Sequence, residues 1–157
     1  MPHNCTEDNC DAPFPQPGRA SGYPKWSKIK GKRCPDLVAR LFGDVRGLLP
    51  SKFQQRCPTG TRKIATVTDE NEDYHFYRQD SNGYWSHKPG ATSVTNIDAT
   101  GRLIYNPQLA SRLYPGSGLH YKNFCGYMCA PATRKNKLRR GGSSRRRSRS
   151  TSRRKAR

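Results

Sequence analysis

From Arg134 to Arg157 the chain carries thirteen Lys and Arg residues and no acid. A stretch like that cannot collapse on itself, because its like charges repel and it has no aromatic group to bury. Any fold must be made by the preceding residues, which hold 17 basic and 11 acidic side chains. The chain therefore divides into a small domain over 1–133 and a basic tail over 134–157 that is expected to be disordered. The formal net charge of +19 resides mainly in that tail, and a hydrophobic content of 32% limits the domain to a modest core.

Within the domain the first 33 residues read as irregular, since Pro13, Pro15, Pro17 and Gly18 interrupt any helix. Pro35 to Gly43 reads as a helix: proline suits its first turn, Leu37, Val38 and Leu41 share one side, and Gly43 is placed to end it in the left-handed region. Ile64–Thr68 is rich in β-branched residues and reads as a strand. Two aromatic-rich runs, Tyr74–Arg78 and Tyr84–Lys88, flank Asn82-Gly83 and predict a β-hairpin. A second hairpin is expected at Ala99-Thr100-Gly101, between Val94–Ile97 and Arg102–Tyr105, with a last strand over Phe124–Met128. A helix followed by strands points to an α+β class, a small antiparallel sheet with one or two short helices.

No apolar run suits a secretory leader, and none reaches the length of a membrane span. Read with the basic tail, that favours free thiols for most of the six cysteines. A disulfide from Cys5 or Cys10 to Cys125 or Cys129 is the alternative. A metal site at His120, Cys125 and Cys129 is a third reading, weakened by the lack of a Cys-x-x-Cys knuckle. No cofactor fingerprint occurs.

The tail has the chemistry of a polyanion ligand. Guanidinium groups stay ionised, grip phosphate with two donors and release condensed counterions. Arg139, Arg140, Arg145, Arg146, Arg147, Arg149, Arg153, Arg154, Lys155 and Arg157 are the candidate contacts to nucleic acid, DNA or RNA, through the backbone. Phosphorylation of Ser148, Ser150 and Ser152, which stand beside arginines, would weaken that grip. Tyr23, Trp26, Tyr84 and Trp85 lie near basic residues and offer stacking surfaces for single strands. In composition the tail resembles the arginine-rich ends of viral coat proteins and protamine-like packaging proteins.

If Arg78 pairs with Tyr84, the hairpin sets His75 directly opposite His87 on one face of the sheet. A preceding cysteine would then complete a set suited to acyl transfer: thiolate, general base and orienting group. The segment Asp73–Asp80 with Asn82–Gly90, and the later Phe124-Cys125-Gly126-Tyr127, resembles a family of uncharacterised bacterial and large-DNA-virus proteins. Those proteins are similar to papain-like cysteine hydrolases of the NlpC type. The resemblance implies a papain-like fold with Cys5 as nucleophile, His75 as base and His87 as orienter; Cys10 is a second nucleophile candidate. Thr6-Glu7-Asp8-Asn9 and Pro13 replace the helix expected after the cysteine. The dipole that would lower the thiol pKa is then missing, and an inactive site is the expectation.

Two functions follow. One is a structural or packaging protein, of a virion or nucleus, whose domain docks on a protein partner or capsid while the tail holds nucleic acid. The other is a cysteine hydrolase localised by its tail.

Overall fold

A computed structural model describes residues 16–26 and 31–132. One helix, α1 (Cys34–Asp44), is followed by β1 (Leu49–Ser51), β2 (Thr61–Asp69), β3 (Asp73–Gln79), β4 (Trp85–Ser86), β5 (Leu113–Tyr114), β6 (Leu119–His120) and β7 (Asn123–Pro131). Five strands form an antiparallel sheet in the order β1-β7-β2-β3-β4, and β5 and β6 make a separate ribbon. The fold is β-rich, which corrects the α+β class. Strands β2 and β7 are longer than expected and run side by side at the centre, while α1 remains the one helix among the described residues.

Central β2 is covered on both faces, so its burial does not alternate from Lys63 to Thr68. On one face Leu37 and Leu41 of α1 pack with Trp26, Leu48 and Met128. On the other, Ala65, Val67, Tyr77, Trp85, Ile104, Tyr121 and Tyr127 form an aromatic core, roofed by the irregular chain between β4 and β7.

Segment 16–26 is bound to α1 by polar groups. Arg40 is buried, pairs with Asp36 at 2.9 Å, and donates to the carbonyls of Pro17 and Pro24 at 3.2 and 2.7 Å. Its guanidinium carbon lies over the Trp26 and Tyr23 rings, 4.5 and 5.2 Å from their centroids, within cation–π range. The Asp44 carboxylate accepts from the Gly18 and Ser21 amides at 2.6 and 2.8 Å, and from the Ser21 hydroxyl at 2.7 Å. Gly43 does not stop the helix. It lies inside α1, where a Cβ would stand 2.6 Å from Ser21 Oγ, so its bareness lets segment 16–26 approach.

Four cysteines are paired, which corrects the free-thiol expectation. Cys34 of α1 bonds Cys125, and Cys57 bonds Cys129, with Cα separations of 5.0 and 5.5 Å. Cys125 and Cys129 share β7 at an even spacing, which in a regular strand puts both on one face. A bulge intervenes. Thr66 pairs with Gly126 but Val67 pairs with Phe124, and Gly126 takes a φ of 123°. The extra residue turns Cys125 toward α1 and leaves Phe124 in the aromatic core. The disulfides thus close opposite faces of the sheet.

The expected hairpin forms with a different register. The Asp80 amide donates to Tyr84 O at 2.8 Å and the Gly83 amide to Asp80 O at 3.0 Å, with Gly83 at φ 88°. That is a three-residue loop with glycine in its left-handed position. Arg78 therefore faces Ser86 and Gln79 faces Trp85. The slip from the expected pairing is two residues, and an even slip keeps every side chain on its face. The turn at 99–101 also forms, but its arms meet only at the bridge Ile97↔Leu103. The Asp98 carboxylate draws the amides of Thr100, Arg102 and Ser111 onto itself, which gathers this stretch into a loop.

Candidate functional site

His75 and His87 are brought together, as the hairpin reading required. His75 stands on β3 and His87 follows β4, bridged to Thr95. Their imidazoles meet through His75 Nε2 and His87 Nδ1 at 2.8 Å. The far nitrogen of His87, Nε2, lies 2.9 Å from the carbonyl of Ile97. A carbonyl only accepts, so His87 carries its proton on Nε2 and offers the Nδ1 lone pair to the N–H of His75. The result is a directed chain, His75 to His87 to the Ile97 carbonyl, that ties β3, β4 and the loop together.

Aromatic rings enclose the pair. His75 stacks on Tyr121 at 5.4 Å, and Tyr77 stands edge-on to His75 and tilted beneath His87 at 5.3 and 5.0 Å. The Tyr121 hydroxyl donates to Asp73 at 3.0 Å. Burial, reinforced by the neighbouring imidazole, lowers the His75 pKa from 6.5 to about 4. Burial also lowers that of His87, against the opposing pull of the Ile97 carbonyl and Asp98. Both rings are neutral near pH 7, which matches the hydrogen-bond chain. This geometry is that of a polar staple inside an aromatic core.

The nucleophile named with them is not in view. Cys5 and Cys10 lie outside the described residues. The cysteine that does open a helix, Cys34, is held in a disulfide, and α1 covers the face of the sheet opposite His75. The arrangement implied by the papain-like resemblance, a helix-opening thiol beside the histidine, is therefore not the one α1 provides. The metal reading fails on the same chemistry: Cys125 and Cys129 are each consumed by a disulfide, and among the described residues no group of three potential ligands gathers. The tail arginines, Arg139 to Arg157, also lie outside the described residues, as do Ser148, Ser150 and Ser152.

Of the aromatics read as stacking surfaces, Trp26 and Trp85 are buried in the two cores. Sequence reasoning missed Lys63 as well. Its ammonium is buried and donates to the carbonyls of Lys52 and Phe53 at 2.8 and 2.6 Å, and to that of Gln55. Burial lowers its pKa. Nothing local in Arg62-Lys63-Ile64 distinguishes that lysine from an exposed one; the carbonyls come from a loop about ten residues earlier. Among the described residues no helix is long and apolar enough to cross a membrane.

No family model matches this chain, and no solved structure matches it. Insoluble matrix shell protein 1 of Ruditapes philippinarum is 41% identical to it over 99 residues. That alignment takes in 63% of this chain and 62% of the shell protein, so the chain spans less than two thirds of its relative. The relative overturns the viral packaging function and the virion-or-nucleus location expected above, and with them the capsid and nucleic-acid readings. The physical reason is that an arginine-rich composition reports charge alone. Any dense polyanion answers to it, in any compartment.

Proposed function

We propose that this protein is a structural constituent of an insoluble extracellular matrix of the shell kind. In this reading the disulfide-closed β domain is the durable body, and the basic excess binds the anionic polymers of the matrix. The similarity to insoluble matrix shell protein 1, 41% over 99 residues, is the observation that carries it. Two disulfides support it, because such bonds form and persist in oxidising compartments. The net charge of +19 supports the choice of partner: carboxylate- or sulfate-bearing polymers would hold it through many screened contacts.

An antibody to the folded domain tests the location. The protein is expected in secreted matrix that resists denaturant once mineral has been dissolved, with Cys34, Cys57, Cys125 and Cys129 resistant to alkylation until reduced. Detection inside cells, with those thiols alkylated directly, would overturn the reading. The partner is tested separately on a sulfated polysaccharide column, where retention should fall steeply with added salt. Retention equal to that of a neutral polysaccharide would remove the electrostatic part.

A further inference from the structure

Beside Tyr84 and Tyr105 the hairpin and the loop that follows it are registered by a backbone bond: the Trp85 amide donates to the Ile104 carbonyl at 3.0 Å. Trp85 and Ile104 are both buried in the aromatic core. Side chains alternate along extended chain, so their neighbours Tyr84 and Tyr105 are turned the other way, to the outside, facing one another. Their rings stand with centroids 4.9 Å apart and planes at 62°, only a little farther apart than the two rings of a biaryl.

Both tyrosines are held there by their backbones. Tyr84 O accepts from Asp80 and its amide donates to Asn82 Oδ1 at 3.0 Å. Ile104, before Tyr105, donates to Asn96 O at 2.9 Å, and Asn106, after it, accepts from Leu109 and Ala110. All eight tyrosines of the chain fall among the described residues, and the others are placed differently. Tyr77, Tyr121 and Tyr127 are buried, and Tyr74 is half-buried against Trp26 and Phe76. Tyr114 touches Tyr121 at 6.3 Å, but neither ring is exposed. Tyr23 is exposed and lies under the Arg40 guanidinium. Tyr105, at 62% exposure, presents its ring to solvent with a second phenol in contact.

We infer that Tyr84 and Tyr105 form an oxidative modification site, joined by a dityrosine bond when the protein meets a one-electron oxidant of the peroxidase and hydrogen peroxide class. Each phenol gives up one electron and its hydroxyl proton. The two phenoxyl radicals carry unpaired density on the ring carbons ortho to oxygen, and one carbon–carbon bond forms between those carbons. The two ortho C–H bonds then break, their hydrogens restoring the phenol hydroxyls as the rings regain aromaticity. Two electrons and two protons leave in all, and they reduce one hydrogen peroxide to two waters. The pre-set contact makes the step effectively unimolecular, so in dilute solution it outruns coupling between molecules. The bond would fasten the loop over the histidine pair to the β3–β4 hairpin, where the His87↔Thr95 bridge and the Trp85–Ile104 backbone bond now hold it. The inference rests on the two rings and not on the matrix reading.

The test treats the full-length, disulfide-intact protein at low concentration with a haem peroxidase and limiting hydrogen peroxide. Dityrosine fluorescence should appear in the monomer, and peptide mapping should find Tyr84 and Tyr105 joined with the loss of two hydrogens. Tyr84→Phe and Tyr105→Phe should each lower the monomer's dityrosine yield roughly tenfold or more, while Tyr23→Phe leaves it unchanged. An undiminished yield in Tyr105→Phe, a bond mapped to other tyrosines, or coupling only between molecules would overturn the assignment. Native mass and disulfide mapping of each variant establish that it is folded before oxidation.

Discussion

On the α1 face the buried cation is Arg40, and on the aromatic face it is Lys63; each gathers carbonyls from a segment that regular structure does not hold. Each face also has one disulfide to β7, at Cys125 and at Cys129. The difference lies in what surrounds the charge. Arg40 has a carboxylate partner in Asp36 and two aromatic rings within cation–π range. Lys63 has carbonyl dipoles alone, and burial lowers its pKa. The aromatic face adds a neutral histidine pair where the α1 face uses the ionised Asp44. A small domain with little apolar content has closed both sides of one sheet with polar clamps and covalent bonds, and it has done so with different electrostatics on each side.

The disulfides should give the largest effect. The bonds span 91 and 72 residues, and loop-closure entropy assigns each about 4.5 kcal/mol, with only ~0.2 kcal/mol between them. Denaturant unfolding of Cys34→Ser with Cys125→Ser, set against Cys57→Ser with Cys129→Ser, checks this. Near-equal losses mean that constraint of the unfolded chain decides. A loss more than ~2 kcal/mol greater on one side would show instead that one face depends on its bond for native packing.

The clamps come next. Arg40→Lys keeps the charge but loses the fork and the ring contacts, and should cost about 2–3 kcal/mol. It should also free segment 16–26, read as new proteolytic cleavage there. Lys63→Arg should cost less, about 1–2 kcal/mol, because carbonyls accept from either cation and the penalty is one of fit. Equal costs would erase the distinction between a paired, ring-contacting cation and a dipole-solvated one.

Much of this architecture was legible, and the unread part has a common cause. The helix from Pro35, the strand at Ile64, the turn at Asn82-Gly83 and the strand after Phe124 are written in local spacing, and all form. The meeting of His75 and His87 was readable because face parity survives an even slip in register. What lay hidden depends on contacts distant in sequence. Cys34 finds Cys125 only because a bulge at Gly126 inverts the parity of β7. Gly43 looked like a helix stop because a glycine there is as consistent with an ending as with a close approach, and Ser21 decides. The thiol state and the compartment were misread together, each having been inferred from the tail.

Acid should separate the faces. His75 has its folded pKa depressed from 6.5 to about 4, so the unfolded chain binds more protons between those values. Its contribution is whole above pH 6.5 and is lost as pH falls toward 4, by no more than ~1.4 kcal/mol per unit, or about 2 kcal/mol by pH 5. His87, lowered by burial as well, adds in the same direction. Asp44 behaves oppositely. Burial raises its pKa, but hydrogen bonds from Ser21, Gly18 and Ala20 outweigh it and hold the carboxylate below 3.8. Its contribution is present above 3.8 and goes only as pH drops through the lowered value. Hydrogen exchange at pH 7 and pH 5 should therefore show β4 and the 94–105 loop losing protection while segment 16–26 keeps it. A uniform loss would mean that the faces unfold as one unit.

The smallest effect tests the α1 face by its sign. Alanine is about 1 kcal/mol better than glycine inside a helix, so Gly43→Ala in an unobstructed helix would stabilise. Here the new methyl would meet Ser21 Oγ at 2.6 Å, Ser21 Cβ at 2.9 Å and Tyr23 Cε2 at 3.2 Å. Ser21 cannot turn aside freely, because its amide and hydroxyl both bond Asp44. Giving up those two bonds, at about 1 kcal/mol each, outweighs the propensity gain and leaves a net loss of about 1 kcal/mol. In a Ser21→Gly background the obstructing side chain is gone, and the same substitution should become neutral or stabilising. Unfolding curves of the four proteins in that cycle read the reversal directly. A Gly43→Ala that stabilises the parent chain would mean that segment 16–26 rests on α1 too loosely for the clamp at Arg40 to matter.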